Sequence, residues 1–339
     1  MALPAAGNSI SLKQTNVELG LTATAAINMG GSAVRGLFDV SSGAIDMSDG
    51  FGKSSETLIS SNVQQMTVSD HISAGGTLRI DSGVYIWSDS TGTAGMIIDI
   101  ACTIINEGYI IGKGGLGANG LSSDNVANGS AGGAAISVTS SGVTITNASG
   151  AYIAGGGGGG AAASYYAQWE QGDDNYNAWR PSGAGGGGAG GGAGNNGGQV
   201  NDSAGGSVGA TGANGSANGS TIAYGGGAGG GGGIGIGDRT VYTMSGAGGG
   251  RILPGAGGGT NGYTGGEGGA AGAAGTNNLA SGESVSGGGG GGWGAAGGNA
   301  IQGAIQGSTK KTGTGGAGGG AVTGTARTLN NSGTVYGST

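Results

Sequence analysis

The chain has 339 residues, of which 94 are glycine and only 3 are proline, and its formal net charge is −7. A collagen triple helix is excluded, because it needs glycine at every third position together with abundant proline. The acidic balance and 11 scattered basic residues argue against a nucleic-acid partner. The single cysteine excludes an intramolecular disulfide and a cysteine metal cluster.

Two further absences concern location. Residues 1–10 show no basic patch followed by an apolar run, so we expect no signal peptide. No stretch approaches the ~20 apolar residues that a membrane-spanning helix needs, so membrane insertion is not expected. Synthesis in the host cytoplasm without export, in a chain of such unusual composition, favours a component of a virion.

The first 55 residues are predicted to form a separate small module. Ser11 precedes residues 12–20, a pattern typical of an N-capped short helix that Gly20 ends. Residues 32–38 are a second candidate helix. Because the module is too small for a large core of its own, we expect it to dock on another protein. Residues 1–55 are therefore predicted to be an attachment module.

Residues 56–111 are predicted to be a β-rich scaffold. Apolar runs at 77–80 and 84–87 flank a turn-forming segment, which is typical of a β-hairpin. A motif of apolar strand, Asn–Gly turn and apolar strand then recurs at 104–112, 145–155 and 328–337. Two copies open the glycine-rich region and one closes it, so the chain is expected to leave a β scaffold and return to it.

Residues 112–339 contain most of the glycine, in runs that alternate with short polar segments. Such alternation differs from a flexible Gly/Ser linker. It predicts a bundle of polyglycine-II helices, whose N–H and C=O groups bond to neighbouring helices. Disorder is the alternative. The predicted fold class is mainly β and irregular: a module with short helices, a β-hairpin scaffold, and a polyglycine-II bundle with apical loops and a C-terminal hairpin.

Residues suited to catalysis or metal binding are few. His71 is the only histidine, and no nucleophile lies in a recognisable turn, so we expect no enzyme. Residues 173–177 resemble the start of a calcium loop but lack its later glycine and glutamate; we predict a solvated polar loop, with no metal and no cofactor. Glu170 with Asp173 or Asp174 would suit a glycosidase pair, which keeps a surface-polysaccharide depolymerase as an alternative.

Aromatic residues concentrate in one segment, residues 164–181, which holds three of the 10 tyrosines and two of the 4 tryptophans. Tyrosine and tryptophan dominate binding hot spots. The alternative is that these rings pack on the glycine bundle as a lid. Together with weaker candidates further along the chain, the predicted receptor-binding residues are Tyr165, Tyr166, Trp169, Tyr176, Trp179, Arg180, Arg239, Tyr242 and Tyr263.

Glycine runs punctuated by aromatic polar loops resemble the tail-fibre-tip adhesins of T-even-like phages, over roughly residues 112–327. The resemblance implies a polyglycine-II domain with receptor-binding loops at one end. It also implies a virion tail-tip adhesin that binds an outer-membrane protein or surface glycan of the bacterial host. A purely structural tail-fibre or sheath subunit is the main alternative, but a sheath would space its aromatic residues evenly.

The mounting of the adhesin stays open. Residues 1–20 and 43–49 resemble the opening module of many phage tail and virion proteins, and 104–115 are similar to β-turns that precede glycine-rich regions in them. T-even-like adhesins carry a different N-terminal attachment domain. Attachment as a single copy on a trimeric fibre and attachment as a homotrimer are both compatible with the sequence.

Overall fold

The computed structural model of the protein describes residues 3–6, 8–51, 55–119, 127–171, 174–182, 185–191, 223–224, 233–236, 239–244, 246, 248–249, 259–260, 263–264, 266–277, 284–302 and 309–339.

The N-terminal part contains two short α-helices, α1 (Leu12–Glu18) and α2 (Ser32–Phe38), and a 3-10 turn (Met47–Gly50). Helix α1 begins at Ser11, whose hydroxyl accepts the Gln14 N–H while the Gln14 side chain accepts the Ser11 N–H. This reciprocal capping satisfies N–H groups that a helix leaves open. Both predicted helices are confirmed.

A small apolar core holds this part together. Leu3, Val34, Leu37 and Phe38 are buried there, and partly buried residues pack around them. Helix α1 is joined to the start of the β structure through Ser55, whose N–H donates to the Glu18 carboxylate (3.0 Å) and whose hydroxyl donates to the Glu18 carbonyl (2.6 Å).

Strands dominate the rest of the chain. The first eleven are β1 (Glu56–Ile59), β2 (Val63–Gln64), β3 (Met66–Thr67), β4 (Thr77–Ile80), β5 (Tyr85–Trp87), β6 (Met96–Ile98), β7 (Thr103–Asn106), β8 (Tyr109–Ile111), β9 (Ile136–Val138), β10 (Val143–Asn147) and β11 (Tyr152–Ala154). The next eleven are β12 (Ala163–Gln171), β13 (Asp174–Ser182), β14 (Gly190–Gly191), β15 (Ala223–Tyr224), β16 (Gly233–Ile236), β17 (Arg239–Met244), β18 (Gly259–Thr260), β19 (Tyr263–Thr264), β20 (Ser284–Ser286), β21 (Ile301–Gln302) and β22 (Thr309–Thr312). The last three are β23 (Val322–Gly324), β24 (Arg327–Asn331) and β25 (Thr334–Tyr336).

Three parallel sheets form a three-sided parallel β-helix. The first sheet has the order β1-β4-β7-β10-β24, the second β2-β5-β8-β11-β25 and the third β23-β9-β6-β3. The chain visits the sheets in turn, so each coil adds one strand to each sheet that it reaches. Such a solenoid buries its core by stacking coils, because one coil alone cannot bury its apolar side chains.

Alternation of side chains explains the interior. In β4 and β7 every second residue is buried, and Leu78, Ile80, Ile104 and Ile145 are fully enclosed. Branched aliphatic residues suit this position, because they pack well on a pleated surface. They belong to one cluster that runs through all three sheets.

A ladder of asparagines marks one corner of the β-helix; Asn106 and Asn147 are fully buried there, whereas Asn331 at the end of the ladder is exposed. The Asn106 amide donates to the Asn147 side-chain oxygen (2.8 Å), and the Asn147 amide donates to the Asn331 side-chain oxygen (2.8 Å). These pairs join residues 41 and 184 positions apart in the chain. Each Asn–Gly motif is therefore a corner between two sheets, aligned with the same corner of the next coil.

The predicted fold class is wrong in two respects. The strands on either side of an Asn–Gly turn do not form hairpins, because β7 and β8 pair with strands of other coils in two different parallel sheets. Nor is the fold a bundle of polyglycine-II helices: the described regular structure is mostly parallel β-sheet with two short α-helices. The apolar residues at strand spacing find their partners in neighbouring coils, and that stacking decides the architecture. The expectation of a mainly β chain is met.

Two long insertions interrupt the β-helix, residues 112–135 between β8 and β9 and residues 155–321 between β11 and β23. Their glycine-rich segments at 112–119, 128–135, 155–161, 185–189, 266–277, 287–300 and 313–320 form no helix or strand and bond to one another through the backbone. We call these segments the glycine block. Gly115 N–H, for example, donates to Gly157 C=O at 2.7 Å, and Ala118 N–H donates to Gly160 C=O at 2.9 Å.

Close approach of backbones explains why this region is glycine. A Cβ added at Gly156 would lie 1.9 Å from the Lys113 carbonyl oxygen, and one at Gly159 would lie 1.9 Å from the Leu116 carbonyl oxygen. Most glycines of the block meet a backbone atom at a similar distance. Side chains are thus excluded by packing, and the buried groups of the block are peptide units that satisfy each other's hydrogen bonds.

Candidate functional site

The predicted site residues lie on strands at the end of the glycine block that is farther from the β-helix. The segment that leaves β11 begins at Gly155, whose N–H donates to Tyr336 of the β-helix (2.9 Å), and it reaches β12 at Ala163. The returning segment begins beyond β22, where Gly313 N–H donates to Ala162 C=O (3.1 Å), and it ends beside the β-helix. Strands β12 and β22 therefore leave and enter the block at its far end.

Strand β20 also lies at the far end of the glycine block. Next to it, Gly288 N–H donates to Ala161 C=O (2.9 Å), whereas Gly294, at the other end of that segment, donates to Gly155 C=O (2.7 Å). Eight extended residues span at most about 29 Å, which bounds the distance of these strands from the β-helix. We call β12, β13, β17, β20, β21 and β22 the distal strands.

The aromatic segment, predicted as a loop, is a long antiparallel hairpin. Strands β12 and β13 pair along their whole length, from Ala163↔Ser182 to Gln171↔Asp174, and β22 pairs with the other edge of β12. Residues 172–173, including the carboxylate of Asp173 from the calcium motif, lie outside the described residues. Pro181 lies on the edge strand β13, where a missing N–H is tolerated.

The register divides the predicted aromatic residues between two faces. Side chains alternate along a strand, and cross-strand partners share a face. Tyr165 pairs with Arg180 and Trp169 pairs with Tyr176, which places these four positions on one face, the Tyr165 face. The pair Tyr166 and Trp179 belongs to the opposite face, the Tyr166 face. A ligand on one face meets only one of these two sets.

The remaining predicted residues lie on neighbouring strands. Arg239 and Tyr242 are on β17, which pairs with β16 and β20, and Tyr263 is on β19, which pairs with β18. Strand β12 lies beside β20, β21 beside β22, and β17 beside β18. The structure thus brings the strands that carry all the predicted receptor-binding residues into one contiguous group.

An aromatic cluster joins the β-helix to the glycine block, and sequence reasoning missed it. Tyr85, Tyr109 and Tyr152 stack on the outer face of the second sheet, with ring centroids 4.4 and 5.3 Å apart. Trp293, fully buried, lies 6.3 Å from the rings of both Tyr152 and Tyr336. The signal was present in the sequence, since a tyrosine follows the Asn–Gly turn in each motif copy. These rings fix the glycine block, and with it the distal strands, on one side of the β-helix.

Most other basic residues of the described chain serve the fold. Arg79 bridges coils through the carboxylates of Glu56 (2.8 Å) and Glu107, and its hydrogen bonds hold the pKa of Glu56 below the ordinary value. Arg35 donates to the Gly30 and Gly43 carbonyls, at 3.0 and 2.8 Å. Arg327 donates to the carbonyls of Val322 and Thr325. Lys113 is buried beside the glycine block, which lowers its pKa.

The acidic residues of the hairpin were also predicted as candidates for catalysis or metal binding. Glu170 pairs with Asn175 and Asp174 with Gln171, so these two positions lie on opposite faces of the hairpin. Asp173, the other predicted partner of Glu170 in a glycosidase pair, lies outside the described residues. Within the described ranges, no three His, Cys, Asp or Glu side chains come together as a metal site. No helix among the described residues is long and apolar enough to cross a membrane.

A β-helix that holds aromatic strands at the far end of a closely packed glycine block defines a β-helical binding protein. Residues 50–235 match the family described as phage tail fibre adhesin Gp38. Because the match covers more than half of the chain, the protein belongs to this family. It is therefore a phage tail adhesin that binds a receptor on the host, and its place is the virion tail. The predicted function is confirmed.

One solved structure is similar along most of the chain. It is the crystal structure of the gp37-gp38 adhesin tip complex of the bacteriophage S16 long tail fiber, which is 17% identical. The similarity covers 96% of this chain and 96% of that chain, with a TM-score of 0.40. No curated protein matches the chain.

Proposed function

We propose that the distal strands form the receptor-binding surface of this adhesin, at the tip of the tail. The observation that carries the proposal is the grouping of strands that carry the aromatic residues: β12, β13 and β17 are distal strands, and β19 is joined to β17 through β18. Tyrosine and tryptophan give a large contact area at low entropy cost. Their collection on a surface held away from the β-helix suits a partner on another particle.

We also propose that residues 1–55 attach the adhesin to a tail-fibre or baseplate protein. Three observations support this role. The family match begins at residue 50, so the helical part lies outside it. That part has its own small core. It also exposes the apolar side chains of Leu12, Val17 and Leu21, which are 50%, 46% and 44% accessible. Exposed apolar side chains in a small module suit a protein interface.

The proposed adhesin acts without catalysis, cofactor or metal. A depolymerase would need two carboxylates on either side of one glycosidic bond. The positions of Glu170 and Asp174 belong to opposite faces of the hairpin by their strand pairing, which supports binding over hydrolysis for that pair. A purely structural tail subunit would not need the aromatic hairpin at the far end. The division into 1–55, 56–111 and 112–339 is kept as a proposal for function, although the parallel sheets continue through β9 to β11 and β23 to β25.

The experiment that tests the binding surface compares Trp169→Ala with Trp179→Ala, one from each face of the hairpin. A hot-spot residue costs about 2 kcal/mol or more when truncated, which is about a thirtyfold loss of affinity. We expect at least one variant to lose adsorption to host cells by that factor, with an unchanged circular dichroism melt. Leu58→Ala, an exposed apolar residue on β1 of the β-helix, is the control. Normal adsorption by both tryptophan variants would remove the hairpin from the receptor site.

The attachment role needs a separate assay. A chain that lacks residues 1–49 should still bind host cells, but it should fail to assemble onto adhesin-free phage tails. Assembly of the shortened chain at the normal level would overturn the role of the N-terminal part.

A separate assay addresses catalysis. Release of reducing ends from host polysaccharide by the adhesin would identify a depolymerase instead.

A further inference from the structure

A row of cationic, aromatic and cationic positions crosses the distal sheet. Tyr165 on β12 pairs with Arg180 on β13 and, on its other side, with Lys310 on β22. Cross-strand partners share a face, so all three positions lie on the Tyr165 face. Neighbouring strands are about 4.8 Å apart, which places the two cationic positions about 10 Å from each other, with the tyrosine between them.

This concentration of positive charge is unusual for the chain. Only 11 of 339 residues are basic, and the net charge is −7. In the described part outside the distal strands, Arg35, Arg79 and Arg327 bind carbonyls or carboxylates of the fold. Arg180 and Lys310 come from strands about 130 residues apart and are brought together only by the pairing with β12.

The acidic residues of the hairpin lie elsewhere. Glu170 pairs with Asn175 on the Tyr166 face. Asp174 is on the Tyr165 face but at the turn end, six residues from Arg180 along β13, or about 20 Å at the rise of an antiparallel strand. Two charges separated by that distance in water are largely screened at physiological ionic strength. Among the described residues of the hairpin, the end of the Tyr165 face away from the turn, where Tyr165 pairs with Arg180, therefore carries positive charge.

We infer that the Tyr165 face binds an anionic saccharide of the host surface, a sugar that carries phosphate or carboxylate. An arginine fork and an ammonium form short charge-assisted hydrogen bonds with such groups. The aromatic position between them offers a flat surface for the sugar ring. This inference rests on the proposed function and specifies the chemistry of the ligand at the same site.

Two adjacent lysines provide a matched pair of variants. Lys310 pairs with Tyr165, whereas Lys311 pairs with Ser164 and lies on the opposite face. Lys310→Gln and Lys311→Gln remove the same charge from the same strand, one position apart. A charge-assisted hydrogen bond lost from a binding site corresponds to a change of about tenfold or more in affinity. We expect Lys310→Gln and Arg180→Gln to lower adsorption to host cells at least about tenfold, and Lys311→Gln to change it less than about twofold.

Competition identifies the anion. Inositol hexakisphosphate carries phosphate on a ring, polygalacturonate carries carboxylate, and dextran is neutral. At least one of the first two should inhibit adsorption of the unmodified adhesin while dextran does not. The stronger inhibitor shows whether the receptor sugar carries phosphate or carboxylate. Inhibition should weaken in Lys310→Gln and persist in Lys311→Gln. Circular dichroism melts of all variants should coincide, since loss of a purely structural contact would shift the melt instead.

The outcomes separate this inference from the proposed function. The inference of an anionic ligand is overturned if Lys310→Gln and Lys311→Gln have equal effects on adsorption. It is also overturned if neither polyanion competes. If Trp169→Ala still abolishes adsorption in that case, the hairpin remains the receptor site with a neutral ligand. If neither tryptophan variant nor any charge variant changes adsorption, both proposals fail together.

Discussion

Gly159→Ala tests whether close backbone contact explains the glycine content of the insertion. Gly159 lies in the segment between β11 and β12, and its N–H donates to Ser130 C=O at 2.8 Å. A Cβ there would lie 1.9 Å from the Leu116 carbonyl oxygen and 2.4 Å from its carbon. No flexible side chain is present to move aside, since both atoms belong to backbone. The two segments would have to separate by about 1 Å or more to reach ordinary contact distance.

The cost follows from what that separation breaks. Segments 112–119 and 155–161 are joined by the bonds from Gly115 to Gly157 (2.7 Å) and from Ala118 to Gly160 (2.9 Å). An added 1 Å takes both beyond the usual hydrogen-bond range. Each lost bond costs about 1 kcal/mol, and overpacking costs about 1–3 kcal/mol. Gly159→Ala should therefore destabilise the glycine block by about 3–5 kcal/mol.

The matched control is Gly36→Ala. Gly36 lies within α2, and a Cβ there would meet nothing within 4 Å. Alanine is favoured over glycine in a helix by about 1 kcal/mol, so this variant should be neutral or slightly stabilising. Amide exchange at 155–161, followed by mass spectrometry, should rise in Gly159→Ala and stay unchanged in Gly36→Ala. Equal protection of that segment in both variants would refute close backbone packing as the reason for glycine.

Three further changes probe other parts of the fold. Asn147→Ala removes the middle of the asparagine ladder and takes a hydrogen-bond partner from the buried Asn106 amide, so the free energy of unfolding in urea should fall by about 2–4 kcal/mol. Asn330→Ala, at an exposed position beside the ladder, should have little effect. Equal urea midpoints for the two variants would contradict the ladder's role. Trp293→Ala leaves a cavity where the glycine block packs on the β-helix and should lower the free energy of unfolding of the block by about 3–5 kcal/mol. The measurement is limited proteolysis, in which the glycine block of the variant should be cut faster and before the β-helix. Arg79 lowers the pKa of Glu56 in the folded state, so this pair stabilises the fold above the ordinary glutamate pKa and loses its effect as the pH falls through the lowered one. Glu56→Gln should therefore melt below the unmodified protein at neutral pH, and the two melting temperatures should converge as the pH falls below the ordinary glutamate pKa and through the lowered one; a constant difference would exclude the carboxylate as the cause.

Local signals in the sequence predicted what is locally determined. The side chains of Ser11 and Gln14 satisfy the first N–H groups of the helix within four residues, so the helix start was predictable from the local sequence. The aromatic segment 164–181 was recognisable for the same reason, since clustering of Tyr and Trp is a property of the sequence. Its strand pairing, and hence the division into two faces, depends on a register that no local pattern specifies.

The architecture itself depends on contacts between distant residues. Asn106, Asn147 and Asn331 each lie in a recognised Asn–Gly motif, and each motif alone is compatible with a tight hairpin. Only the bonds between them, which skip up to 184 residues, show that the motifs stack as corners of one solenoid. Insertions of different length between coils hide the repeat, so period analysis could not find it.

The two ends of the long insertion meet where they join the β-helix: Gly319 N–H donates to Gly156 C=O at 2.7 Å. Closing a loop between such adjacent ends costs little more as the loop grows. The coil that carries this insertion therefore tolerates a change in its length beyond the glycine block, because the strands on either side keep the same separation.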